Sequence, residues 1–362
     1  MTTAPPASPQ AATAGPAASR RMGRAPLVAL LGVMLLAAIV VSLGVGAVQI
    51  SPAAVVGIIL DHLGIDSGIE FTARQDAVLW SIRLPRVMLG VVVGAGLAVA
   101  GAALQGIFRN PLADPQLIGV SSGAALGSAG AIALAGGSLG LLAGPIGGFV
   151  GGMAAGLAVY ALARHEGRTE VVTLILAGIA VAAIGGAGAG MLSFVVDDPA
   201  IRTALFWSLG SLSVATWKLW WVTLPFVLAG LVVLPMFARA LNLTLLGERE
   251  AQHLGVDVER VRMVVLAVAV LTVGATVAAA GVIGFIGLLV PHGVRLAAGP
   301  DHRVVLPASA VGGAALVVLA DLAARTMASP IDVPVGLLTA VVGGPLFLWL
   351  LRRTRREHGG WG

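Results

Sequence analysis

In a chain of 362 residues, 58% hydrophobic side chains against 11% charged ones, with a mean hydropathy of +0.98, exclude a soluble globular protein, which could not cover its surface with so few charges. The absence of cysteine excludes disulfides, thiolate metal centres and cysteine nucleophiles. The net charge of +5 is not a nucleic-acid signal, and no nucleic-acid partner is expected; the placement of the charges reports topology instead.

Residues 1–24 are rich in Pro, Ala and Ser without apolar periodicity and read as a disordered tail. Arg20, Arg21 and Arg24 then precede an apolar run from Ala25 to about Val48. A signal peptide, including a twin-arginine one, is the rival reading. The run is about twice the length of a signal core and no small-residue cleavage site follows, so it is read as an uncleaved first span. Windows of about 20 apolar residues give ten candidate spans. They lie near 26–48, 84–107, 114–136, 141–163, 171–195, 216–238, 261–281, 283–297, 304–323 and 334–351. The eighth is short and interrupted by Gly284, Gly287 and Pro291, which predicts a bent or partly embedded segment. Between the first two spans, Ser51-Pro52 has the form of an N-cap and first helical residue, opening a short apolar helix to about Leu63 that lies flat on the outer surface.

An even number of spans puts both termini on one side. With the N-terminus inside, sixteen basic residues fall on the cytoplasmic side and six on the outer side (Arg74, Arg83, Arg86, Arg202, Lys218 and Arg325), which supports cytoplasmic termini. Trp80, Trp217, Trp220 and Trp221 fall at outer span ends and Trp349 at an inner one, as interfacial anchors do. Small residues recur four apart at Gly90 and Gly94, at Gly148, Gly152 and Gly156, and at Gly186 and Gly190, which predicts close helix packing. In the fifth span, the run at 185–194 with Gly186, Gly188, Gly190 and Ser193 could instead give a cargo path a smooth wall.

Several function classes fall away. Every Asp and Glu lies in a loop or near a span end, the nearest to mid-membrane being Asp114 and Asp321, which argues against a proton-coupled carrier. The six histidines sit at edges or in loops, which argues against a haem-holding core. The only lysine is Lys218, outside any Gly-rich turn and on the outer side, so the chain has no P-loop and is not an ATPase. No enzyme activity is expected.

Three segments carry the functional signal. In the loop 239–262, Glu248 to Leu254 reads as a short amphipathic helix stopped by Gly255, with Asp257 capping the next span. A mere connector would be far shorter. Arg83 and Arg86 open the second span and Arg325 closes the ninth, forming a small basic rim on the outer side. Lipid headgroup anchoring, with an i,i+4 pair between Asp321 and Arg325, is the simpler reading of that rim. The stretch 101–124, GAALQGIFRNPLADPQLIGVSSGA, runs an apolar helix into Arg109, Asn110 and Pro111, turns through Asp114 and Pro115, and re-enters an apolar segment. Two prolines and three polar side chains suit a tight turn at a membrane surface.

That stretch resembles the signature of the FecCD-type permeases, the membrane subunits of binding-protein-dependent ABC importers for iron complexes and cobalamin. Residues 281–295, 306–325 and 333–351 match family patterns too, so the resemblance runs over nearly all of 80–352. It implies an all-α polytopic membrane protein of type II ABC importer architecture, with about ten transmembrane helices. Residues 25–352 would form the permease domain and 353–362 a cytoplasmic tail. The implied setting is a bacterial inner membrane and its lipid. The implied partners are a second copy of the chain, two cytoplasmic ATPase subunits and one extracytoplasmic substrate-binding protein. ATP and Mg would sit on the ATPase, with no cofactor or metal on this chain. The resemblance gives Glu248, Arg249, Glu250, Gln252, His253, Leu254 and Gly255 the role of ATPase contact. It gives Arg83, Arg86 and Arg325 that of docking the binding protein. Alternating access, driven through the 244–256 loop, is the implied mechanism. The runs 299–303 and 117–123 look most like haem importers, so haem ranks first as cargo, an iron(III)–siderophore second and cobalamin third. Pro291-His292 reads as a turn ending the eighth span rather than as a ligand. One departure is that Val333 precedes Pro334 where many relatives carry an acid; the neighbouring Asp332 is the available substitute. A passive channel would explain the spans and glycines but not the 239–262 loop or the outer arginines.

Overall fold

The computed structural model describes residues 23–135, 142–165, 168–195, 208–328 and 331–357. Within them the helices are α1 (Arg24–Gly44), α2 (Pro52–His62), α3 (Ala73–Ile107), α4 (Val120–Ala135), α5 (Ala143–Ala163) and α6 (Val171–Val195). They continue with α7 (Trp217–Met236), α8 (Ala238–Thr244), α9 (Glu248–His253), α10 (Val258–Ala280), α11 (Ile286–Ala298), α12 (His302–Met327) and α13 (Val335–Glu357). A two-residue antiparallel pairing, β1 (Arg164–His165) with β2 (Arg168–Thr169), joins α5 to α6. The architecture is an all-α membrane bundle. Seven helices are long and apolar enough to cross a bilayer, and α2, α4, α11 and the apolar part of α13 are shorter. The expected tail at residues 1–24 and Arg202 lie largely or wholly outside the described residues.

The caps are local and follow the sequence. Ser51 accepts from the N–H of Ala54 at 3.1 Å with Pro52 at the first helical position, and Asp257 accepts from Arg260 at 3.0 Å. Thr72 and Gln75 form a reciprocal capping box at the start of α3. That box corrects the start of the second span: the helix begins at Ala73 rather than 84, and passes through a π-helical turn at Leu79–Arg83. The third span is corrected as well, since a 3-10 turn at Pro115–Ile118 precedes α4.

Helix α3 is the central strut, buried along nearly its whole length from Pro85. It runs antiparallel to α12, with Arg86 beside Asp321 at one end and Gly106 against His302 at the other. Midway the two backbones touch: a Cβ on Gly94 would land on the Gly313 carbonyl, and one on Gly313 on the Gly94 carbonyl. The α4–α5 pair closes through Gly123, Gly127, Gly147 and Gly151. Of the glycines singled out in the fourth span, Gly152 faces Val120 and Gly156 faces Val270.

The eighth span opens with a break that contains Gly284, whereas Gly287 lies inside the helix that follows. Helix α10 ends at Gly281 (φ 68°), the chain continues without helix to Phe285 (φ 66°), and α11 begins. The Pro291-His292 turn is corrected: both residues lie inside α11, which ends at Gly299. Pro291 cannot donate to the carbonyl of Gly287 one turn earlier. The side-chain amide of Gln105 on α3 donates to it instead, at 3.1 Å. The carbonyl freed by the proline is thus satisfied by a protein side chain rather than left unpaired. On the other side of the break, Ser211 N–H donates to Ala280 O at 2.8 Å and Gly336 N–H to Gly210 O at 3.0 Å, so three interrupted segments bond one another.

Candidate functional site

The inner face is built around the α8–α9 pair. Helix α9 starts after Gly247 (φ 128°) and stops at Gly255 (φ 83°), two conformations that side-chain-bearing residues rarely adopt. Ala251 is fully buried and anchors it. Arg249, Glu250, Gln252, His253, Leu254 and Gly255 all face solvent, as a contact surface requires. Sequence reading missed α8 and the apolar residues that follow it, exposed Leu245 and 64% exposed Leu246; Leu254, which it did name, is 60% exposed at the end of α9. An apolar patch ringed by charges marks a protein contact more strongly than the charges alone.

Glu248 differs from its neighbours, because its carboxylate turns inward. It takes a hydrogen bond from Arg262 Nη2 at 2.6 Å and lies 3.5 Å from Arg109 Nη2. Arg109 itself sits in the left-handed region (φ 48°), and the turn after it is held locally. Asn110 Oδ1 accepts from Leu112 N–H at 2.9 Å, and Asp114 Oδ1 from Gln116 N–H at 2.8 Å, two Asx caps. Pro111 is exposed within that turn. Pro115 packs on Gly287, and Gln105 donates to the Ala113 carbonyl at 3.2 Å while accepting from Arg295. The structure therefore brings the 109–115 turn and α9 together through one carboxylate.

The run 299–303 proves to be a brace. Asn242 on α8 donates to Asp301 at 2.6 Å and accepts from the His302 backbone N–H at 2.9 Å, with His302 Nδ1 2.8 Å away. His302 is 1% exposed and wedged against Gly106, so it does not face a cargo. Burial works to raise the pKa of Asp301, but the Arg303 N–H and the Asn242 amide outweigh it and hold the carboxyl below its ordinary value. Among the described residues no three His, Asp or Glu side chains gather as a metal site.

On the outer side the exposed basic rim is corrected. Arg83 and Arg86 are buried, and the Arg325 side chain is nearly so. Arg83 donates to the carbonyls of Leu43 at 2.7 Å, Gly44 at 3.0 Å and Val48. Arg86 pairs with Asp321 and with Asp332, the acid next to Val333, each at 2.9 Å. Arg325 donates to Ser42 and forms the expected i,i+4 pair with Asp321 at 3.9 Å. The guanidinium groups bond carbonyls at the C-terminal end of α1 and bind α3 to α12, so they act as internal clamps.

In α6, a Cβ on Gly186 would meet open space, whereas one on Gly188 would meet Leu126. The Ser193 side chain lies outside the described residues. Large apolar side chains of α6, including Leu176, Ile179, Ile184 and Met191, are exposed on the single chain.

The FecCD transport family model matches residues 34–353. The chain is 45% identical over 296 residues to the hemin transport system permease protein HmuU of Yersinia pestis, covering 80% of this chain and 88% of that protein. It is 46% identical over 287 residues to the cobalamin import system permease protein BtuC of Halobacterium salinarum, covering 79% and 75%. A solved structure described as a metal-chelate type ABC transporter in an inward-facing conformation aligns with a TM-score of 0.79 at 30% identity, over 91% of this chain and 99% of that one. With a family match spanning most of the chain and a bundle of the same architecture, this protein belongs to the FecCD transport family.

Proposed function

We propose that this permease moves haem into the cytoplasm by alternating access, as one half of a homodimer driven by two ATPase subunits and supplied by an extracytoplasmic binding protein. The chain is an ABC transporter permease and not an enzyme; ATP hydrolysis belongs to a separate subunit. The observation that carries the cargo is the 45% identity to a hemin permease over 80% of the chain. Cobalamin is the second reading, favoured by the 46% identity to a cobalamin permease, and a ferric siderophore follows from the metal-chelate neighbour. The exposed Leu245, Leu246 and Leu254 among charged side chains suit the ATPase contact. The exposed apolar length of α6, open at Gly186, suits a second copy with the path between the two.

The test is uptake into vesicles that hold the permease with its ATPase and binding protein. Haem, a ferric siderophore and cobalamin are offered separately, with and without ATP. ATP-dependent accumulation of haem is expected. Accumulation of cobalamin alone would replace the cargo, and accumulation by the permease without the ATPase would overturn the importer reading.

A further inference from the structure

Arg262 lies in the second turn of α10, its side chain nearly out of contact with solvent. Sequence reading counts it only as one more cytoplasmic arginine. Its guanidinium joins three parts of the inner face. Nη2 donates to Glu248 Oε1 on α9 at 2.6 Å. Nη1 donates to the Thr169 carbonyl of the β1–β2 hairpin at 2.9 Å and to Glu259 Oε2 at 3.1 Å. Glu259 in turn accepts from the Thr169 N–H at 3.2 Å and from the Thr169 hydroxyl. Thr169 is therefore held at its N–H, its carbonyl and its side chain, two residues before α6 starts. The same Glu248 oxygen faces Arg109 of the α3–α4 turn.

We propose that Arg262 is a positioning residue that transmits displacement of the coupling helix α9 to the hairpin that opens α6. The inference rests on the ATPase-contact role of α9. A guanidinium is a rigid planar fork, so its two ends cannot move independently. A push on α9 that shifts Glu248 must drag or break the bond to Arg262, and with it the register of Thr169 and the start of α6. Among the described residues, the exposed Arg249 and Glu250 on α9 make no such link. Lysine keeps the charge but, as a point donor on a flexible stem, cannot hold Glu248 and the Thr169 carbonyl in one fixed geometry.

The experiment uses the assembled importer in vesicles and exploits the absence of native cysteine. A single thiol at the exposed start of α6, Val172→Cys, is labelled with and without ATP. In the parent the labelling rate is expected to respond to nucleotide. With Arg262→Lys, uptake per ATP is expected to fall about tenfold while ATP hydrolysis stays within about twofold, and the nucleotide response of the thiol vanishes. Unchanged uptake per ATP, or a retained thiol response, overturns the proposal. Should Arg262→Lys fail to assemble, Glu248→Gln is read by the same two measurements; failure of both to assemble assigns a purely structural role and overturns it too. If the parent shows no ATP-dependent uptake of any cargo, the importer reading falls first, and that outcome is distinct from a working parent whose Arg262→Lys variant is fully coupled.

Discussion

Arg86 on α3 and Asp321 on α12 meet at 2.9 Å, 235 residues apart in sequence and almost entirely out of water. Such a pair gains little over two well-packed apolar residues, yet is costly to break, because the survivor is left as a buried uncompensated charge. Arg86→Gln or Asp321→Leu is therefore expected to destabilise the protein by about 3–5 kcal/mol. Asp332, whose side chain is 42% exposed, also contacts Arg86. Asp332→Asn is expected to cost no more than about 1 kcal/mol, since solvent screens that pair. Thermal unfolding of the purified permease in one detergent measures all three. Equal losses for Asp321→Leu and Asp332→Asn would show that the pair is not buried in the folded protein.

Gly94 and Gly313 test the α3–α12 crossing. A single Cβ at either meets the opposite carbonyl, and backbone cannot yield as a side-chain tip can. Gly94→Leu is expected to cost more than the ~1–3 kcal/mol of ordinary overpacking and to abolish monodisperse protein. Gly186→Leu faces open space and is expected to leave the chain's yield unchanged. If α6 lines the path, the same Gly186→Leu substitution lowers uptake without lowering expression. Size-exclusion profiles and uptake together separate the two effects.

Leu246 and Leu254 test the ATPase contact. Apolar anchors at the centre of a protein interface carry a large share of its binding energy. Leu246→Asp with Leu254→Asp is expected to cost about 2 kcal/mol or more, roughly thirtyfold in ATPase affinity. Fold is preserved, because both side chains are exposed on the free permease. Retention of the ATPase on immobilised permease at parental levels would remove this surface from consideration.

Features set by neighbours in sequence were legible, and features set by tertiary partners were not. The caps at Ser51 and Asp257, the stop at Gly255 and the break before α11 depend on residues within one turn, so composition and spacing locate them. The clamp at Arg83, Arg86 and Arg325 looked like a rim because position along a span says nothing of depth. Only the carbonyls of Leu43, Gly44 and Val48 and the carboxylates of Asp321 and Asp332 reveal why these arginines turn inward. Arg262 was hidden for the same reason: its partners Glu248 on α9 and Thr169 on β2 lie 14 and 93 residues away. His302 shows the opposite error, where a motif suggestive of cargo chemistry is consumed by packing against Gly106 and bonding to Asn242.

Gln105 offers a test of how the proline-containing α11 is tolerated. Its amide N–H₂ donates to the Gly287 carbonyl freed by Pro291 and to the Ala113 carbonyl, and its oxygen accepts from Arg295. Gln105→Leu is close in volume but leaves two buried carbonyls and one guanidinium without this partner. Each unsatisfied group costs about 1–3 kcal/mol, so a loss of several kcal/mol is expected, with the 109–115 turn loosening because Ala113 is released. Gln105→Glu keeps the acceptor for Arg295 but removes both donors, and should recover only part of that loss. Amide exchange across 109–119 and 286–292 measures the effect where it arises, and a variant whose exchange in both segments matches the parent would show that these carbonyls find other donors.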